Sequence, residues 1–511
     1  MAIMNVVESE QGAPRRIELQ SPVTLEVIGG FNVRSAEEVA EAIATARAAQ
    51  PAWAALSYAE RAQYLAKLQA LLVARCDDIM ATIASESGKA DMEALGEVIG
   101  SCDALQYYGK HAARMLKTES KRPHLFYPMK KLLKTYHAKG VVGVITPWNF
   151  PFATTVVPTA QALMAGNTVI VKPSEVTPLS GELLGTLARE AGFPEGVLQV
   201  LMGDGATGAA LCAGDVDKIH FTGSVKTGRL VGEACGRNLT ACTLELGGKD
   251  PAIVCADADL QRAVHGVMNG ALFNTGQVCA STERIYVVES IHDRFVEELA
   301  SALETLRQQG DGDADVSCMI WDRQLALVEQ QISDAVAKGA QVVTGGQRQH
   351  GKKGLFLEPT LLTGVDHSML VMTEETFGPV LPVMKVKDED EAVRLANDSP
   401  YGLSGSVWVG DRKRGIDIAR RLESGGCAVN EFGGSIYGAH EGSFGGRKES
   451  GLGYVNGELG LRSFCNVQHL LVHRFGPSLE MNWFPYDIKS VDGMRKFLKF
   501  YFGTVFGRWL S

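Results

Sequence analysis

The amino-acid sequence predicts an α/β fold with two successive α/β domains. Three stretches carry that prediction. Residues 36–118 read as helices, short apolar runs alternate with helical ones from about residue 141, and a second alternating region runs from about 250 to about 430. Strands buried on both faces lose the polar alternation of a half-exposed sheet, so short apolar runs between helices are the mark of a parallel sheet with helical crossovers.

The helical region opens on Ser35-Ala-Glu-Glu38. This is a capping box, in which a Ser and a Glu three residues later satisfy free amides at a helix start. An Ala-rich run follows, then an amphipathic stretch at 58–76. Apolar runs at 141–146, 167–171, 197–202, 218–222 and 243–246 read as strands, with helices near 178–192, 206–213 and 224–236 between them. Such a sheet binds nucleotides at the carboxyl ends of its strands. In the second region, 284–288, 341–344 and 404–409 read as strands. The tail differs in character. Trp483-Phe-Pro-Tyr486 leads to Ser490, read as the N-cap of a helix of about fifteen residues. Met494, Phe497, Leu498, Tyr501, Val505 and Trp509 recur at helical spacing to form one apolar face. Arg495, Lys496, Lys499 and Arg508 supply charge, Phe500, Phe502 and Phe506 widen the apolar surface, and Gly503 and Gly507 weaken the helix.

Composition narrows the class. At 511 residues the chain is long enough for two or three domains. Hydrophobic residues at 45% and charged residues at 21% fit a globular protein whose core needs no disulfides. A net charge of −9 argues against a nucleic-acid partner, which wants a basic footprint. The ten cysteines include no C-x-x-C pair and no zinc spacing, so no metal site is expected and a reducing, cytoplasmic compartment is. No signal or transit pattern and no membrane-spanning run is read.

Several residues carry chemistry. Gly203-Asp-Gly205-Ala-Thr-Gly208 fits a dinucleotide-binding glycine turn, but the acid usual about twenty positions on is missing, and a plain tight turn explains it equally well. Gly223-Ser224 follows a strand and starts a helix, with Gly228 one turn in, so its free amides can face a pyrophosphate. Lys172-Pro-Ser-Glu175 places a Lys and a Glu at a strand end. Glu175 can accept both ribose hydroxyls and would repel a 2′-phosphate, which favours NAD over NADP; a surface salt bridge is the other reading. Cys279, in a Gly-flanked loop, is either a reactive thiol in an electropositive setting or a buried inert one. Glu245 ends a buried strand, where an acid is costly unless used or paired. Burial there raises its pKa and suits it to general-base work, although it could simply hold backbone amides. Asn149, between two prolines and two aromatics, is either an oxyanion donor or an ordinary Asn turn.

Together these segments resemble the aldehyde dehydrogenase superfamily from about residue 20 to about residue 470. The motifs are Pro147-Trp-Asn-Phe-Pro151, Val171-Lys-Pro-Ser-Glu175, Phe221-Thr-Gly-Ser224, Leu244-Glu-Leu-Gly-Gly-Lys249, Gly276-Gln-Val-Cys279, Glu374-Glu-Thr-Phe-Gly-Pro379 and Phe444-Gly-Gly446. The resemblance implies a Rossmann-like nucleotide domain (1–124 and 142–246), an α/β catalytic domain (247–440), a bridging β-element (125–141 and 455–475), and a homodimer or homotetramer; the tail is 476–511. It implies catalytic roles for Cys279, Glu245, Asn149 and Lys172. It implies contacts to NAD, or to NADP as the alternative, from Thr146, Trp148, Lys172, Ser174, Glu175, Gly205, Gly223, Ser224, Leu246, Glu375 and Phe377. The expected reaction oxidises an apolar aldehyde to its acid through a Cys279 thioester. The chain departs from the family at Ser443, at Asp315-Val-Ser-Cys318-Met, and at Val455, where many members carry a second Glu. Acyl transfer to coenzyme A is disfavoured because such enzymes typically lack the Glu at position 245. A non-catalytic structural role is a second rival, argued against by the intact Cys279, Glu245 and Asn149. A cysteine hydrolase is a third; it would want a His base, where the thiol's expected partner here is Glu245. The tail resembles the extensions of fatty-aldehyde-type members, and it is read as packing on a subunit, gating a substrate tunnel, or lying on a membrane.

Overall fold

A computed structural model of the chain describes residues 3–7, 15–121, 123, 127, 129–310, 312–480 and 482–505. Phe506, Gly507, Arg508 and Trp509 of the tail lie outside the described residues. The chain divides into two compact units, one of residues 1–115 and 138–465, the other of residues 116–137 and 466–511.

In the larger unit an antiparallel meander, Met4–Val7, Arg16–Gln20 and Val27–Asn32, precedes the helices. No strand was expected there, although Arg16-Ile-Glu-Leu-Gln20 alternates polar and apolar residues and buries Ile17 and Leu19. The helices are α1 (Ala36–Ala55), α2 (Tyr58–Ala74), α3 (Cys76–Ser87) and α4 (Asp91–Met115). The Ser35 hydroxyl accepts from the Glu38 amide while the Glu38 carboxylate accepts from the Ser35 amide. Ser57 and Glu60 repeat that box at α2. Leu65, Leu68 and Leu72 bury one face of α2, which packs on α4.

A six-stranded sheet follows in the order Gly451–Leu452, Ala241–Glu245, Lys218–Thr222, Val141–Ile145, Thr168–Lys172, Leu198–Val200. All are parallel except the two-residue edge strand, Gly451–Leu452. The central strands Val141–Ile145 and Thr168–Lys172 are buried throughout, which is why they read as unbroken apolar runs. Among their crossovers is α5 (Ala153–Met164). Register pairs Ile145 with Lys172 and Phe221, and Thr222 with Glu245, so four strands end in one row. The second sheet has seven strands, Gln341–Thr344, Thr360–Thr363, Val380–Val386, Thr282–Val288, Asp250–Val254, Ser406–Trp408 and Ala428–Val429, with only the first antiparallel. The class is thus mixed α/β with parallel sheets.

The smaller unit holds a three-stranded sheet, ordered Cys465–His473, Lys130–Ala138, Glu119–Lys121, and the helix Ile488–Gly503. That helix is capped by Asp487, whose carboxylate accepts from the Lys489 amide at 3.2 Å, and not by Ser490. Both residue types cap well, and the earlier one lets the chain close one more turn. Phe497 and Tyr501 stack on it with ring centroids 5.4 Å apart. Among the described residues no helix is long and apolar enough to cross a membrane.

Candidate active site

The carboxyl ends of the first sheet open into a cavity of about 1330 Å³, and all the residues expected above to serve catalysis or the cofactor line it. The strand Val141–Ile145 delivers Thr146, Trp148 and Asn149 to it. The next strand delivers Lys172, Ser174 and Glu175; Lys218–Thr222 delivers Gly223 and Ser224; Ala241–Glu245 delivers Glu245 and Leu246. Gly205 enters from the start of the helix Gly205–Ala213. Cys279 comes from the loop after the 3-10 turn Phe273–Gly276, and Glu375 and Phe377 from the loop before Val380–Val386.

Two glycine turns face the cavity differently. Ser224 caps the helix Val225–Asn238 by accepting from the Thr227 amide at 3.3 Å, which aims a helix N-terminus inward. In the other turn Asp204 is the cap, and a Cβ on Gly205 would meet nothing within 4 Å, whereas one on Gly203 would strike Thr207. Gly203 therefore serves the turn, while Gly205 and Gly208 line the cavity. Lys172 Nζ lies 3.0 Å from Glu175 Oε2, so the salt bridge of the alternative reading exists, but at the cavity wall.

Glu245 is buried, and neither of its carboxyl oxygens has a hydrogen-bond partner among the described residues. Burial pushes its pKa well above the usual carboxylate range. Cys279 is half-buried against the same cavity. Burial, and then the nearby carboxyls of Glu245, Asp250 and Glu375, push its thiol up. The electropositive setting expected of a reactive thiol is not found: the charged groups that act on the thiol are carboxyls, those of Glu245, Asp250 and Glu375.

The loop before Cys279 is strained. Asn274, Thr275 and Gly276 run consecutively with φ of 51°, 57° and 72°. The left-handed region costs a non-glycine residue about 1–3 kcal/mol, and a β-branched Thr is an outlier there. Gly276 is the one place where glycine is obligatory, since a Cβ would also lie 2.2 Å from the Gly378 carbonyl oxygen. Asn149 Nδ2 donates to the Gln277 carbonyl at 2.8 Å, using one of its two protons.

Glu375 Oε1 accepts from the Gly248 amide at 3.1 Å, and burial raises its carboxyl to about 8. Phe377 sits edge-on to Trp148, with centroids 5.2 Å apart. The turn carrying Glu375 and Phe377 is held by Glu283, which accepts from the amides of Thr376 at 2.7 Å and Phe377 at 2.8 Å while pairing with Lys249 at 2.8 Å. Sequence reasoning missed Glu283. Its one signal was a charged pair, Glu283-Arg284, at the head of a strand that continues apolar.

A model described as "Aldehyde dehydrogenase family" matches residues 7–470. The chain belongs to the aldehyde dehydrogenase family. A 4,4'-diapolycopene aldehyde oxidase of Methylomonas sp is 38% identical, over 94% of this chain and 91% of the relative. A glutarate-semialdehyde dehydrogenase of Pseudomonas aeruginosa is 36% identical, over 91% and 95%. Among solved structures, a Mycobacterium tuberculosis aldehyde dehydrogenase complexed with NAD+ superposes at a TM-score of 0.86, with 33% identity over 93% of this chain and 97% of that one. Val455, one of the departures noted in the sequence, is buried and pairs its backbone with Phe444.

Proposed function

We propose that this aldehyde dehydrogenase oxidises an apolar aldehyde to the carboxylic acid, with NAD preferred over NADP, through a covalent adduct on Cys279. The observation that carries the reading is the unpartnered, buried Glu245 carboxyl facing the same cavity as the Cys279 thiol. A buried acid left without hydrogen bonds costs stability, and the arrangement is explained by a group that must accept a proton in the reaction. Cys279 gives up its thiol proton to solvent, and the thiolate sulfur attacks the aldehyde carbon. The free N–H of Asn149 and the Cys279 amide serve the developing oxyanion. NAD, when bound, supplies the hydride acceptor. The glycine turn capped by Ser224 suits its pyrophosphate, the open face of Gly205 its adenine side, Glu175 its ribose hydroxyls, and Glu375 and Phe377 its nicotinamide end. Once the adduct is oxidised to a thioester, Glu245 takes the proton of the attacking water and the acid leaves.

The substrate class follows from the lining. Ile99, Phe150, Val157, Phe273, Phe432 and Phe444 supply apolar walls. Among the described lining residues the only Lys or Arg is Lys172, and it is paired with Glu175. A distal carboxylate, such as that of a semialdehyde, would find no free cation there. The test follows NADH or NADPH formation with butanal, dodecanal, benzaldehyde and succinic semialdehyde, with each cofactor. A higher kcat/KM for the uncharged aldehydes and for NAD is expected. A preference for succinic semialdehyde would sink the substrate reading, and a preference for NADP the cofactor reading.

A further inference from the structure

Three ionisable side chains around the start of α4 bear on both loops that meet at Cys279. Glu93 and Glu97 lie four residues apart and so share a helix face; Lys89 precedes the helix. All three are buried. Lys89 Nζ lies 3.1 Å from Glu97 Oε1 and 3.7 Å from the centroid of the Phe150 ring, the residue after Asn149. The other Glu97 oxygen, Oε2, accepts from the amides of Phe152 at 3.0 Å and Ala153 at 2.9 Å, where the Asn149 loop runs into α5. Glu93 Oε1 accepts from the Asn274 amide at 2.6 Å, at the first left-handed residue of the Cys279 loop. Asn274 then joins the two loops, its Nδ2 donating to the carbonyls of Asn149 and Gln277, each at 3.0 Å.

We infer that Lys89, Glu93 and Glu97 are positioning residues that set the Asn149 amide and the Cys279 loop in register with each other. This rests on the proposed roles of Cys279 and Asn149. Glu93 and Glu97 reach the cavity wall, but each has a carboxylate oxygen committed to loop amides. Their cost is that of burying charge, which a fold keeps only where pairing and hydrogen bonds are good. Glu97 and Glu93 each accept from amides of one of the two loops, and Lys89 pairs with the Glu97 carboxylate and lies over the Phe150 ring. A helix start needs no buried Glu to be satisfied, since an Asp or Ser on the chain itself does it, as at Ser57 and Asp204. A Glu reaching across from another helix instead ties the start of α5 to a fixed point beside the nucleophile's loop. Displacement of a reacting group by about 1 Å costs on the order of a hundredfold in rate, so a tie of this kind acts on kcat.

The molecule contains its own control. Glu86, buried near the end of α3, likewise reaches across to a helix start, accepting from the amides of Leu179 at 2.7 Å and Ser180 at 3.0 Å. That helix, Leu179–Glu190, carries no candidate catalytic residue. Full-length Glu97→Gln and Glu86→Gln are compared with NAD and the best aldehyde of the panel, alongside their Tm and the iodoacetamide alkylation rate of Cys279 read by peptide mass spectrometry. Glu97→Gln is expected to lower kcat by about tenfold to a hundredfold, with the Kd for NAD and the Cys279 alkylation rate unchanged, since alkylation does not use the Asn149 amide. Glu86→Gln is expected to lower Tm with kcat held within about twofold. Should Glu97→Gln fail to fold, Glu93→Gln leaves the Lys89–Glu97 pair intact and is expected to show the same fall in kcat. Loss of kcat in both helix-start variants in proportion to Tm overturns the inference, as does an unchanged kcat in Glu97→Gln or Glu93→Gln. Activity surviving in Cys279→Ala strikes instead at the nucleophile assignment on which it rests.

Discussion

Glu245 and Cys279 are both held toward their neutral forms, the first by burial and the second by burial and by the acids around it. The reactive form of each is the deprotonated one. Raised pKa values therefore place activity on the alkaline side, and kcat/KM is expected to rise as pH increases above neutrality. The same profile in Glu245→Gln should lose the limb that belongs to the carboxyl. In that variant a rapid burst of NADH followed by a slow steady state is expected, because thioester hydrolysis loses its base while the earlier steps proceed. Equal slowing of both phases removes Glu245 from that role. Cys279→Ala is expected to abolish oxidation and keep NAD affinity, read by calorimetry; retention of more than a few per cent of activity moves the nucleophile elsewhere.

At the scale of the element, α4 shapes the cavity as well as holding its loops. Gly96 and Gly100 lie one turn apart on the wall it contributes, and a Cβ on either would meet nothing within 4 Å. Glycine inside a helix costs about 1 kcal/mol relative to alanine, so two in succession leave room at some expense. Gly100→Leu is expected to lower the ratio of kcat/KM for dodecanal to that for butanal by about tenfold, the order that one or two methylenes command in an apolar pocket. Gly236→Leu, a substitution into open space on the helix Val225–Asn238, should leave the ratio alone. An unchanged ratio in Gly100→Leu takes α4 out of substrate selection. What could be read from the sequence differs element by element. The strands Val141–Ile145 and Lys218–Thr222 announce themselves, since burial on both faces demands unbroken apolar runs. The residues they deliver to the cavity, Asn149 and Ser224 among them, could be named because turns need special residues at fixed offsets. Lys89, Glu93 and Glu97 could not. Two acids four apart on an amphipathic helix look like a solvated face, and only the packing of α4 against α5 turns them inward. The Cys279 surroundings misled for a related reason: its acidic neighbours, Asp250 and Glu375, are distant in sequence.

The largest scale concerns surface left uncovered. Of the nine residues of the strand Cys465–His473, all but Cys465 are exposed, including Val467, Leu470, Leu471 and Val472. Exposed apolar strand surface of this kind marks a contact with another chain. A second copy of this chain is the proposed occupant, in keeping with the homodimer or homotetramer that the family resemblance implies. Sedimentation at micromolar concentration is expected to give a dimer or tetramer, and Leu471→Glu to shift it toward the monomer. A wild-type monomer ends the proposal, and flotation of the intact chain with anionic liposomes would assign that surface to a membrane instead.

The acidic surroundings of Cys279 have a consequence for endurance. Peroxide converts a cysteine to sulfenic acid through its thiolate, and so do most electrophiles that poison sulfur enzymes. A sulfur kept protonated between turnovers presents them with little to attack. The carboxyls that would slow Cys279 in its proposed role would therefore also preserve it, and the resting molecule is expected to survive a peroxide exposure that consumes a permanently ionised cysteine.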